Sequence, residues 1–341
     1  MLQTRERAPA WHRLLPGLGA AVLLLALVAV AGVAVGAQSV APGVIVDALL
    51  HYDPADGDHL IVHTMRLPRT AVGLLVGMAL GAAGAVMQGV TRNPLADPGI
   101  LGVNAGAALA LVLGISVFGV TTLSAYVWFG FAGAAVTAVL VYSIGALGRD
   151  RATPVKLALS GAAVSAALAS LTSAIILTDT DAFERLRLWQ IGSLAGRDAA
   201  LVGQAAPFLA AGALLAVLSG RALNALALGD DVARSLGQRV GLSRALGALS
   251  VVVLCGTATA LAGPIAFVGL TVPHVARLIT GPDYRWIIPY AAVLGAILLL
   301  AADVLGRVLA RPAELQVGIV TALIGAPVFV HLVRRRDAAA L

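Results

Sequence analysis

The sequence predicts an all-α polytopic membrane protein of about ten transmembrane helices, and three observations carry that reading. Of its 341 residues, 60% are hydrophobic and only 12% charged, and the mean hydropathy is +0.95. A soluble domain carries about 25% charged residues. Apolar runs near the ~20 residues that cross a bilayer core recur along the whole chain. The basic residues fall between those runs, mostly on alternate turns, as membrane topology places them. The alternating ten-residue pattern of a membrane barrel is not seen. Ala, Gly, Leu and Val dominate, so the helices are expected to pack through small residues.

The elements follow in order. A basic N-terminus, MLQTRERAPAWHR, precedes an apolar run at 14–37. Signal-peptide cores are about 7–15 residues long. This run is longer, so it is expected to stay as the first span, although VGA before Gln38 resembles a cleavage site. Residues 38–65 are polar and hold Asp47, Asp53, Asp56 and Asp58. They read as an external loop with a short surface helix at 44–50. The second span, 71–90, follows RLPR and carries Gly73, Gly77 and Gly81 on one face. That spacing fits close helix packing. A turn, TRNPLADP, leads to a third span at 100–119. Further runs lie at 124–147, 154–178, 199–220, 243–262, 265–280, 287–309 and 317–333. The run at 265–280 is short and follows Gly263-Pro264, so it and its predecessor read either as two spans or as one broken helix.

Charge discriminates between these readings. Ten crossings from a cytoplasmic N-terminus leave only Arg66, Arg69, Arg185, Arg187, Arg197, Arg307 and Arg311 outside, of 23 Lys and Arg. Merging the two short runs would put the Arg334, Arg335, Arg336 tail outside. Ten spans with both termini cytoplasmic is therefore preferred.

Several functions are excluded. Cys255 is the single cysteine, so no intrachain disulfide forms, and a lone thiol in an apolar run packs as a small hydrophobe. The net charge of +6 does not indicate nucleic acid, because the basic residues belong to the topology. A phosphate-binding loop needs Gly-Lys-Ser/Thr. The only lysine, Lys156, follows Val155, so the chain is not itself an ATPase. Ion-coupled transporters bury acids or histidines along their path. Here Asp303 can pair with Arg307 one turn on. His274 has no second ligand at metal spacing and reads as structural. No metal, cofactor or catalytic residue is expected.

Residues 221–241 are the least apolar stretch between two spans on the cytoplasmic side. Leu223, Leu226 and Ala227, then Val232, Leu236 and Val240, show helical periodicity. Gly229 would separate two short helices, with Asp230 or Asp231 starting the second.

RLPR, GAVMQ, RNPLADPGILGVNAGA, FVGLTVPHVARLITGPDYR and ELQVGIVTALIGAPVFVHLV resemble the permease family of bacterial ABC importers for ferric siderophores, haem and cobalamin. The resemblance spans 44–333. It implies one permease domain over 1–341 with the type II ABC importer fold, multi-pass in the bacterial cytoplasmic membrane. It also implies a homo- or heterodimer of permeases, ABC ATPase subunits inside and a substrate-binding protein outside. The 221–241 segment is similar to the family's ATPase-coupling helices, which points to Leu226, Gly229, Asp230, Asp231, Ala233, Leu236 and Gly237. Arg66, Arg69 and Arg307, with Arg311 close by, match arginines that meet carboxylates of the binding protein; anchoring at helix ends is the alternative. Asn93, Pro94 and Leu95 match an inner gate, and Thr153 and Pro154 stand opposite; both could equally be plain turns. Residues 179–198 resemble the outer mouth, where Trp189 suits the membrane interface. Arg185 and Arg187 there would attract an anion or anchor the helix. The substrate implied is a ferric siderophore, with haem or cobalamin next. A secondary transporter is the rival from another class.

Overall fold

The computed structural model describes residues 11–147 and 153–340. Arg5, Arg7, Arg149 and Arg151, counted as cytoplasmic above, lie outside the described residues, as do the side chains of Pro154 and of residues 332–340. Every regular element is helical among the described residues. In chain order they are α1 (Trp11–Ala34), α2 (Pro42–Leu50), α3 (Gly57–Leu60), α4 (Leu67–Thr91), α5 (Val103–Ser116), α6 (Leu123–Gly145) and α7 (Pro154–Ile176). Then follow α8 (Thr180–Gln190), α9 (Ala199–Ala227), α10 (Asp230–Ser235), α11 (Val240–Ala262), α12 (Val268–Thr280), α13 (Tyr284–Leu309) and α14 (Val317–Ala340). A π turn, Ile61–Arg66, joins α3 to α4.

Seven helical stretches are long and apolar enough to cross a membrane: those of α1, α3–α4, α6, α7, α9, α11 and α13. Shorter apolar helices, α5 and the first part of α14, lie among them. Many large side chains left exposed on α1, α6, α7, α9 and α14 are apolar, among them Leu23, Val136, Leu159, Leu218 and Leu323. Such a surface suits lipid, where each helix satisfies its own backbone.

α4 is the centre of the bundle, and its glycines explain why. Gly73 faces Leu300, Gly77 the backbone of Gly295 and Ala296, and Gly81 the carbonyl of Ala291. The paired numbers run in opposite directions, so α13 lies antiparallel to α4. At Gly81 a Cβ would overlap the Ala291 carbonyl. These contacts are helix packing, as the spacing predicts.

α5 and α12 are too short to cross alone. Thirteen or fourteen residues give about 20 Å of helix at 1.5 Å each, against a core of about 30 Å. Irregular backbone completes each crossing: residues 92–102, with a 3₁₀ turn at Pro98–Leu101, and residues 263–267. The two regions are close, with Gly269 between the backbone of α4 at Leu80 and Gly84 and the ring of Pro98. Non-helical backbone at this depth is tolerated because protein surrounds it. Residues 265–267 were expected to be helical and are not. Gly84 meets Gly269, and Gln88 meets Leu270 and Arg277, so α12 runs parallel to α4. Gly247 meets Val86 and Val90, which sets the start of α11 against the end of α4. α11 and α12 therefore run oppositely, as two crossings.

Candidate functional site

One end of the bundle, where α1 and α13 finish and α4 starts, holds a cleft of about 610 Å³. Arg66, Arg69, Arg197, Arg307, Asp198 and Glu314 are among its lining residues. By the resemblance, Arg66, Arg69 and Arg307 meet carboxylates of a binding protein, so their guanidiniums are expected to be exposed. The structure corrects this: Arg66 is 4% exposed and Arg307 2%.

Their partners are the last carbonyls of α1. A helix ends with four carbonyls that have no partner within it, and a cation is favoured there. Arg66 donates to the carbonyls of Val33 (3.0 Å), Ala34 (2.8 Å) and Gln38 (2.7 Å). Arg307 donates to those of Gly32 (2.9 Å) and Val35 (2.7 Å), and Arg311 to that of Gly36 (2.7 Å). Asp303, 1% exposed, balances the charge. It pairs with Arg307 at 2.9 Å and accepts from Arg69 through both carboxylate oxygens. Arg69 also reaches Glu314 at 2.6 Å. The i,i+4 pair of Asp303 and Arg307 was legible in the sequence; Arg69, Glu314 and the α1 carbonyls were not. A span ending in VGAQ with no capping residue was the available signal.

Arg197 differs from the other three. It donates to the carbonyls of Leu261 and Ala195, and among the described residues it has no carboxylate within ion-pair distance. Burial pushes its pKa below the usual arginine value. The cleft thus holds more cationic than anionic groups.

α8 lies beside the same end. Asp179 caps it, accepting from Ala182 N–H (3.0 Å) and the Ser116 hydroxyl (2.6 Å). Those bonds, the Ser116 one foremost, hold the Asp179 carboxyl below its usual pKa. Arg185 is tied to the Tyr126 hydroxyl, and Arg187 to Glu184 at 2.6 Å. Of the two roles left open for these arginines, the contacts favour anchoring. Trp189 is half-buried. It lines a cavity of about 410 Å³ with Asn104, Thr172, Ser173 and Gln190.

At the opposite end lies α10. The first of the two expected short helices is instead the end of α9, which continues to Ala227. The second is α10, and it starts at Asp230. It hangs between Gly229 (φ +104°) and Gly237 (φ +81°), neither of which has an atom near its Cβ position. The glycines serve the backbone angle there, not space. Leu226 and Ala233 are buried, so they hold α10 to the bundle. Leu228, Val232 and Leu236 are exposed and form the outward apolar face. Asp231 pairs with Arg234 at 2.7 Å. Asp230 pairs with Arg244 at 2.9 Å and with Arg92 at 3.1 Å.

Arg92 opens the segment expected to form the inner gate. Asn93 closes a turn by accepting from Leu95 N–H, and Asn93 and Leu95 are exposed while Pro94 is half-buried. Asp97 caps the 3₁₀ turn through Gly99 N–H at 2.8 Å. The Ile100 carbonyl lies against Gly161 of α7. Thr153 caps α7 by accepting from Lys156 N–H at 3.3 Å. Sequence reasoning missed Arg92 and Arg244, whose partner lies more than a hundred residues from Arg92.

Comparison with known proteins identifies the family. The ferric enterobactin transport system permease protein FepD of Escherichia coli (strain K12) is 47% identical over 322 residues, covering 94% of this chain and 95% of FepD. The iron(3+)-hydroxamate import system permease protein FhuB of Bacillus subtilis (strain 168) is 42% identical over 317 residues, covering 93% and 82%. A solved inward-facing transporter described as of the metal-chelate ABC type superposes with a TM-score of 0.81 at 28% identity, covering 94% of this chain and 99% of that one. The model of the FecCD transport family matches residues 23–335, and with the helical bundle above this establishes that the chain belongs to the FecCD transport family.

Proposed function

We propose that this protein is the permease subunit of an ATP-driven ABC importer for ferric siderophores in a bacterial cytoplasmic membrane. The observation that carries the reading is one bundle with a cationic cleft at one end and a glycine-hinged helix with an outward apolar face at the other. The cleft suits carboxylates of an extracytoplasmic binding protein, since guanidinium pairs well with carboxylate. Arg66, Arg69 and Arg307 line it, with Arg197 the group least neutralised by the chain itself. The α10 face, through Leu228, Val232 and Leu236, suits an ABC ATPase subunit. Leu226, Gly229, Asp230, Asp231, Ala233 and Gly237 set its position. A second permease subunit, identical or related, completes the assembly, and Asn93–Leu95 with Thr153 and Pro154 gate the path. Both termini are cytoplasmic.

The siderophore reading draws on relatives that carry ferric enterobactin and ferric hydroxamate. The test is complementation of a host lacking its own permeases. Growth on ferric enterobactin, ferric hydroxamate or ferric citrate, lost when the ATPase partner is inactivated, is the expected result. Growth on haem or cobalamin alone would move the substrate. Uptake that persists without any ATPase but stops with a protonophore would replace the reading with a secondary transporter.

A further inference from the structure

An ion pair, Arg92 to Asp230 at 3.1 Å, joins the end of α4 and the 92–102 segment to α10. We infer that Arg92 is a positioning residue that latches the 92–102 segment to α10 through Asp230. The inference rests on α10 being the ATPase-coupling helix.

Three observations support it. First, Arg92 ends α4 with φ 51° and ψ 28°, a left-handed conformation, and its N–H donates to Gly89 O. That position usually takes glycine, because a Cβ is strained there. An arginine here carries strain that its side chain must justify, and the side chain reaches Asp230 at 3.1 Å. Second, the two bonds to Asp230 are unequal. The Arg244 side chain is 9% exposed and the Arg92 side chain 37%. A buried ion pair is costly to break, whereas a half-exposed pair is weak and reversible. Asp230 therefore stays with Arg244, and Arg92 is the arm that lets go. Third, what Arg92 holds leads inward. The next ten residues run past Gly269 of α12 and Gly161 of α7. α10 itself lies between Gly229 and Gly237, both at positive φ. A shift of α10 by the ATPase would break the Arg92 pair and free the end of α4 and the gate segment together.

The test uses Arg92→Gly, which suits the left-handed backbone and removes only the arm. The assembled importer is reconstituted in liposomes and fed its binding protein loaded with ferric enterobactin. Expected are unchanged ATPase association, an unchanged or higher thermal midpoint, and at least a threefold fall in uptake per ATP hydrolysed. Arg92→Lys should recover much of that ratio. Arg92→Gly combined with Asp230→Asn should lower the ratio no further than Asp230→Asn alone. An unchanged ratio in Arg92→Gly would overturn the latch. Loss of ATPase association in that variant would also overturn it, by making Arg92 part of the docking face. Ala233→Pro separates the two readings. If it keeps normal association and coupling, α10 is not the coupling helix, and the latch falls with that reading.

Discussion

At the scale of single residues, the buried arginines decide stability before they decide docking. Hydrogen bonds to charged groups are worth about 1.5–3 kcal/mol each, and leaving half of a buried pair costs about 3–5 kcal/mol. Asp303 serves both Arg69 and Arg307. Asp303→Ala is therefore expected to destabilise by about 3 kcal/mol or more, read as a fall in the thermal midpoint in detergent. Replacing Arg66 with Glu would set an anion against the α1 carbonyls and should destabilise as well. Charge reversal at Arg197 should weaken binding-protein docking and, by setting an anion against the Leu261 and Ala195 carbonyls, should lower the midpoint as well. A tenfold loss there corresponds to about 1.4 kcal/mol; equal affinity would leave Arg197 out of docking. Asp283 gives a pH test. It caps α13, bonds Asn224 at 2.6 Å and pairs with Arg285 at 2.7 Å. Burial pushes its pKa up, but the bonds from Arg285 and Asn224 outweigh it and hold the carboxyl below its usual value. A depressed folded pKa adds stability above the unfolded value of about 3.9 and loses it as pH falls through the folded value. The midpoint gap between wild type and Asp283→Asn should hold from about pH 5 to 8 and shrink below about pH 4.

At the scale of elements, close packing around α4 sets what each helix tolerates. Gly81→Ala would drive a Cβ into the Ala291 carbonyl and force α4 and α13 apart. Overpacking of this kind costs about 1–3 kcal/mol. Gly203 on α9 has open space around its Cβ position, so Gly203→Ala should be neutral or stabilising by up to about 1 kcal/mol. Midpoints of the two variants check the contrast, and similar values would remove the packing account. The sequence showed the glycine face of α4 but not the partner it meets, because spacing gives a face and never its neighbour. It also showed α5 and α12 as apolar runs but could not show the non-helical entry before α12, which lies against Trp189 and Gly192 and against Gly325 of α14.

At the scale of the whole molecule, the bundle carries a cationic cleft at one end and α10 at the other. A reporter fused after Arg336 should be active only in the cytoplasm. Activity on the other side would break the ten-crossing arrangement. The intact importer should purify with two permease copies or a related pair, together with ATPase subunits. A stable monomer that transports alone would count against the assembly.

What the sequence by itself determined is the class of protein: where the spans fall, that the basic turns alternate with them, and that no phosphate-binding loop is present. Crossing a bilayer is a local property, because about 20 contiguous apolar residues suffice and each helix satisfies its own backbone. The tertiary structure alone decided which donor fills the end of α1, since Arg307 reaches it from 275 residues away. It also decided that Arg92 and Arg244 share Asp230. Unsatisfied carbonyls and carboxylates accept any donor that the packing brings within about 3 Å. Which donor arrives is settled by how α4, α11 and α13 pack, and no spacing along the chain encodes that.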